Sequence, residues 1–126
     1  MPLSYVIDSE NSMVRLELSG ALQIEEGRRT VEQLLSDSAF GPGLHILSDH
    51  SRLSEAATVE LVKAIVPLLE RIAERLGPFR CAVVVPSDPS FGMGRMAETY
   101  AEPTPATVCP FRTGAEAEAW LRDEPA

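Results

Sequence analysis

Residues 80–85 read Arg80-Cys81-Ala82-Val83-Val84-Val85. After Arg80 the run is unbroken and apolar. A strand with one wet face would alternate, so this run predicts a parallel strand covered on both faces. Downstream, Pro86-Ser87-Asp88-Pro89-Ser90 reads as a rigid loop and 91–101 as a short helix, closed off by Pro103 and Pro105. A last strand is expected over 106–111. Pro110 places it at a sheet edge, because an interior strand could not spare the missing N–H. Thr113 or Gly114 opens a final helix in which Ala117, Trp120 and Leu121 share a face at i, i+3, i+4 spacing.

Upstream, Gly77-Pro78 ends a long helix that carries Val59, Leu61, Val62, Ile65, Val66, Leu68, Leu69, Ile72 and Leu76. Pro67 in its middle removes a hydrogen bond and predicts a kink or a break. Its apolar stripe is wide for a surface helix. Ser54 is the expected cap, with Glu55 in the first turn. Before it, 44–48 reads as a short strand and Asp49-His50-Ser51-Arg52 as a loop. A helix over 25–35 turns Val31, Leu34 and Leu35 inward, with Glu25 and Glu26 near its positive end, and Gly41-Pro42-Gly43 stops it. Two alternating runs, 3–9 and 13–19, flank Glu10-Asn11-Ser12 and predict an antiparallel hairpin. Gly20 ends the second.

The expected order is ββαβαβαβα. Strands alternating with helices call for crossover connections, so the fold class is α/β with a five-stranded, mostly parallel sheet whose first strand is antiparallel. The 126 residues suit a single domain over 1–126.

Lys and Arg number 11 and Asp and Glu 19, a net charge of −8. Nucleic acid is disfavoured, because phosphate binding needs clustered basic residues. Here Lys63 is the single lysine, and Arg28-Arg29 lie among Glu25, Glu26 and Glu32. An anionic membrane surface is disfavoured likewise, and no stretch is long enough to span a bilayer. The start lacks a basic segment followed by an apolar core, so a cytoplasmic protein is expected. Cys81 and Cys109 then read as small buried residues. His45 and His50 have no ligand-spaced neighbours, so neither a metal nor a cofactor is expected.

In an open α/β sheet, ligands gather at the carboxyl ends of parallel strands. Two segments fall there. The first, 48–54, holds Asp49, His50, Ser51, Arg52 and Ser54. Neighbours in sequence rarely reach triad geometry, and the G-x-S-x-G elbow is missing. The bland reading ends a strand at Asp49, leaves His50 and Arg52 solvated, and makes Ser54 a cap. The sharper one makes Ser51 or Ser54 a phosphorylatable or partner-contacting serine near Arg52 and a helix N-terminus. The second segment contains Ser90, Gly92, Gly94 and Arg95. G-x-G alone is a weak phosphate signature. Two glycines early in a helix cost about 1 kcal/mol each against Ala, which points to close backbone approach by a neighbouring element or a ligand. Arg95 is the residue there able to meet an anion, or else it pairs with Asp88 or Glu98.

These elements resemble the STAS-like fold group, which includes anti-sigma-factor antagonists, CRAL-TRIO-like proteins and small uncharacterised bacterial proteins. The carriers are the element order and Gly20 followed by Gln23-Ile24-Glu25-Glu26. With them go Ile46-Leu47-Ser48-Asp49, Ala82-Val83-Val84-Val85, Phe91-Gly92-Met93-Gly94-Arg95-Met96, and the tail Val108-Cys109-Pro110-Phe111-Arg112 with Ala117-Glu118-Ala119-Trp120-Leu121. The resemblance implies strands in sequential order, wound as a β/α superhelix with helices mainly on one side. It implies a regulatory or binding module rather than an enzyme. Antagonists of the group carry a regulatory serine in an Asp-Ser-Ser/Thr-Gly context. The matching stretch here is Asp49-His50-Ser51-Arg52-Leu53, without the adjacent Ser/Thr-Gly.

The leading expectation is therefore a non-catalytic regulatory or protein-interaction module with a protein partner, or with itself as a homodimer through the wide stripe of the Pro67 helix. The alternative is a protein that binds a small apolar ligand or lipid in a groove near the 55–76 helix and the Phe91–Met96 turn.

Overall fold

The computed structural model describes residues 3–123. Five strands form one sheet in the order β1-β2-β3-β4-β5. β1 (Leu3–Asp8) and β2 (Met13–Gly20) form the antiparallel hairpin. The turn is a short 3-10 segment, Ser9–Asn11, capped by Asp8 and closed by Ser12 in the left-handed region. β3 (His45–Leu53), β4 (Phe79–Val84) and β5 (Ala106–Phe111) then add in parallel, with β5 at the edge as Pro110 requires.

Each side of β4 is dry. Cys81, Val83 and Val85 face the main core, with Val14 of β2, Ile46 of β3 and Leu34, Leu69 and Ile72 of the helices above. Ala82 and Val84 face the other side, with Met13, Leu47, Ala117 and Leu121. Three helices cover the first face: α1 (Ile24–Leu35), α2 (Val59–Leu76) and α3 (Asp88–Ala101). The last, α4 (Gly114–Leu121), packs alone on the second. It is pinned there by Arg15, which bridges Asp8 at 3.2 Å and Glu118 at 2.5 Å. Arg80 helps, bonding the Trp120 carbonyl at 2.6 Å and lying over its ring.

Several local expectations are corrected. Residues 49–52 are not a loop: β3 runs on to Leu53, because Glu17, Ser19 and Gly20 of β2 continue to pair with Asp49, Arg52 and Leu53. The register shifts between Glu17 and Ser19, so β3 holds one extra residue, a β-bulge. Ser54 is no helix cap. Its N–H is held by the Gly20 carbonyl at 2.8 Å, as a last rung of the sheet. Thr58 caps α2, its hydroxyl accepting the Leu61 N–H at 3.2 Å. α3 begins at Asp88 rather than 91. Ser87 caps it, and Pro89 sits in the first turn, where a missing N–H costs nothing. Gly92, Gly94 and Arg95 accordingly lie beyond that first turn. α1 ends at Leu35, well before Gly41-Pro42-Gly43.

α2 runs through Pro67 without a break, with the proline on its exposed side. Most of its wide stripe is consumed within the chain. The inner residues meet the sheet, Leu68 meets Gly27 of α1, and Arg71 and Arg75 tie α2 to Glu32 and to the Leu35 carbonyl. The large apolar side chains exposed among the described residues are Val6, Val59 and Tyr100, which do not form a stripe on α2.

Candidate functional site

Between the sheet and α1–α3 the core does not close. A cavity of about 170 Å³ remains. Its floor is Ile46, Val83 and Val108 of the sheet, and its roof is Ile65, Leu69 and Ile72 of α2. Gly94 and Met93 of α3 close one side and Leu22 and Ile24, at the start of α1, another.

Two polar side chains enter from β3. Along a regular strand, residues two apart share a face, and Ser48 and His50 do so here. The Ser48 hydroxyl and His50 Nε2 are 2.9 Å apart and hydrogen-bonded. The bulge then displaces the alternation. Leu53 rejoins the cavity wall, while Ser51 and Arg52 are put out into solvent. Burial pushes the His50 pKa from 6.5 down to about 4, against a smaller opposing effect of the Asp49 charge. The ring is therefore neutral at neutral pH. Thr30 and Ser90 add hydroxyls to the lining and Gln23 an amide.

The residues singled out from sequence divide accordingly. Ser90 and Gly94 line the cavity. Asp49 faces away from it, and its carboxylate accepts the Ser51 N–H at 2.9 Å. Ser51, Arg52 and Ser54 are exposed at the carboxyl end of β3, with Arg52 only 4.0 Å from Glu17. A phosphate on Ser54 would not meet the first turn of α2, which starts at Val59. Gly92 and Arg95 lie on the outer side of α3, and Arg95 pairs with Glu98 at 3.1 Å. Gly94 shows the close approach expected of it, and the neighbour is Pro110 of β5. Gly92 has nothing nearby to account for it.

His50, read from sequence as solvated, belongs to the cavity instead, and Ser48 was not singled out at all. Their i, i+2 spacing was the available signal, hidden while the strand was expected to stop at Ser48. Among the described residues no group of His, Cys, Asp and Glu is arranged to hold a metal ion. None of the helices described is long and apolar enough to cross a membrane.

This architecture is shared with solved structures. A protein of Thermotoga maritima assigned as an anti-sigma factor antagonist superposes with a TM-score of 0.63 over 95% of this chain and 94% of that one, at 19% identity. An uncharacterised protein of Shewanella loihica PV-4, from the DUF3478 family and with a SpoIIAA-like fold, gives 0.65 over 94% and 91%, at 16% identity. The fold is STAS-like. No protein-family model and no curated protein matches the sequence. The STAS-like frame accounts for the sequential strand order and for three helices on one face, both of which the resemblance implied. Within that frame, the cavity lies on the three-helix face, beside the carboxyl end of β3.

Proposed function

We propose that this chain is a non-catalytic binding module of the STAS-like type, and that the space under α2 takes a small apolar molecule. The single observation that carries this reading is the cavity itself. Apolar cavities of about 150 Å³ are known to admit molecules the size of benzene, and this one is larger. It lies beside the long helix and the Phe91–Met96 segment, where a groove is the alternative expected from the sequence.

Catalysis is disfavoured by the same geometry. Ser48 and His50 form a pair that superficially suits a nucleophile and its base. Among the described residues no carboxylate is bonded to the other ring nitrogen, Asp49 being committed to Ser51. A base with a pKa near 4 is also a weak one at neutral pH.

A protein partner is the second part of the proposal. It is supported by the antagonist-type fold and by exposed Ser51 and Arg52 at the cavity's edge. A second copy of the chain is the other candidate partner. The stripe on α2 no longer supports a homodimer, which would use the edge strand β1 and its exposed Val6. Free Cys81 and Cys109 suit a reducing cytoplasm.

Native mass spectrometry of gently purified protein tests the reading. A co-purifying apolar small molecule, with no turnover in hydrolase and phosphatase screens, supports it. An empty protein that also refuses added apolar probes, or one that turns over substrate through Ser48, contradicts it.

A further inference from the structure

We propose that the cavity selects an uncharged molecule of about benzene size bearing one hydrogen-bond donor group, a hydroxyl or an amide, held at the Ser48 hydroxyl beside His50. The inference rests on the reading above that the cavity is a ligand site, and it specifies what the ligand must be.

The first ground is charge. Among the described residues, none of the cavity lining is Asp, Glu, Lys or Arg. A carboxylate, phosphate or ammonium inside would have no counter-ion and would lose its hydration, which apolar surroundings do not repay.

The second ground is the donor and acceptor count at the polar pair. One hydrogen bond joins Ser48 Oγ to His50 Nε2, and Nδ1 bonds no protein group among the described residues. If Ser48 donates to Nε2, Nδ1 carries the ring proton and is a spare donor, while Oγ keeps a spare acceptor lone pair. If Nε2 donates instead, the hydroxyl proton is the spare donor and Nδ1 the spare acceptor. Nδ1 points away from Nε2 across the ring, so one small group cannot reach both it and Oγ, but in either tautomer Oγ keeps an acceptor lone pair. An alcohol, a phenol or a primary amide can donate to Oγ. A hydrocarbon has no donor, and a carboxylate has none either while bringing an unpaired charge.

The third ground is size. A volume of about 170 Å³ excludes a long acyl chain lying wholly inside and suits a compact ring or a short branched chain.

The test is isothermal titration of the full chain at pH 7 with three probes of one size: benzyl alcohol, toluene and benzoate. Benzyl alcohol is expected to bind roughly 3- to 10-fold tighter than toluene, and benzoate at least about 100-fold more weakly than the alcohol. Ser48→Ala is expected to bring the alcohol down to the level of toluene. Equal binding of alcohol and toluene, appreciable binding of benzoate, or an undiminished preference in Ser48→Ala overturns the selectivity and leaves the cavity reading standing. Failure of all three probes overturns both. Should Ser48→Ala not fold, the series on the unaltered protein still decides.

Discussion

Gly94 of α3 and Pro110 of β5 approach so closely that a β-carbon added to Gly94 would lie 2.6 Å from the Pro110 Cβ. The proline ring cannot swing aside, so α3 would have to lift off the sheet. Helix propensity alone gives alanine an advantage over glycine of about 1 kcal/mol, and the contact reverses its sign. Gly94→Ala is expected to lower stability by about 1–3 kcal/mol. Gly92→Ala, with open space around it, is expected to raise stability by about 0.5–1 kcal/mol. Thermal melts of the two variants check this. A stabilised Gly94→Ala would contradict the packing.

The start of α2 gives a second contrast. Thr58→Ala removes the hydroxyl that receives the Leu61 N–H and is expected to cost about 1 kcal/mol. Ser54→Ala should stay within about 0.5 kcal/mol, because Ser54 is held through its backbone. Urea denaturation of both separates the observed cap from the one expected from sequence.

Acid should destabilise the protein through its histidines. His50 is pushed down to about 4 by burial. His45 is lowered too, by burial first and then by Arg80, and its Nδ1 accepts the Arg80 N–H at 2.9 Å. Both are depressed in the folded state, so the unfolded chain binds more protons below pH 6.5. Stability is complete above that value and falls as pH drops from about 6.5 to 4. For His50 the loss is on the order of 3 kcal/mol. His50→Gln should flatten the pH profile of unfolding across this window. An equally steep profile would show that His50 is not neutral and buried.

Burial also pushes the Cys81 thiol up to about 12, while Cys109 is raised less and is half-buried. Ellman's reagent at pH 8 should leave Cys81 unmodified in the native protein and react with it once the chain is unfolded. Rapid native labelling of Cys81 would mean that the three-helix face opens readily.

How far the sequence discloses this molecule depends on whether a feature is written locally. Cys81–Val85 announces a doubly covered strand, and Pro110 an edge, because each imposes its constraint on its own backbone. The second half of β3 is different. Asp49, Ser51 and Arg52 are polar and lie beside a bulge, so nothing in their pattern separates them from a loop. Only the pairing with Glu17, Ser19 and Gly20 makes them strand. Asp88-Pro89-Ser90 hides a helix start for a similar reason, since proline there reads as loop until Ser87 is seen to cap the turn. The cavity has no sequence signature of its own. It is what remains when helices of these lengths meet the sheet with Gly27, Ala97 and Gly94 at contact positions. Its polar pair became visible once β3 was known to reach His50.

The most direct test of the central claim is a methyl-labelled carbon–proton NMR titration with benzyl alcohol. The account predicts shifts at Val62, Leu69, Ile72, Val83 and Val108, which border the cavity, and still signals from Leu47, Val84 and Leu121 in the core across the sheet. Shifts of equal size on both faces of the sheet, or none on either, would contradict it.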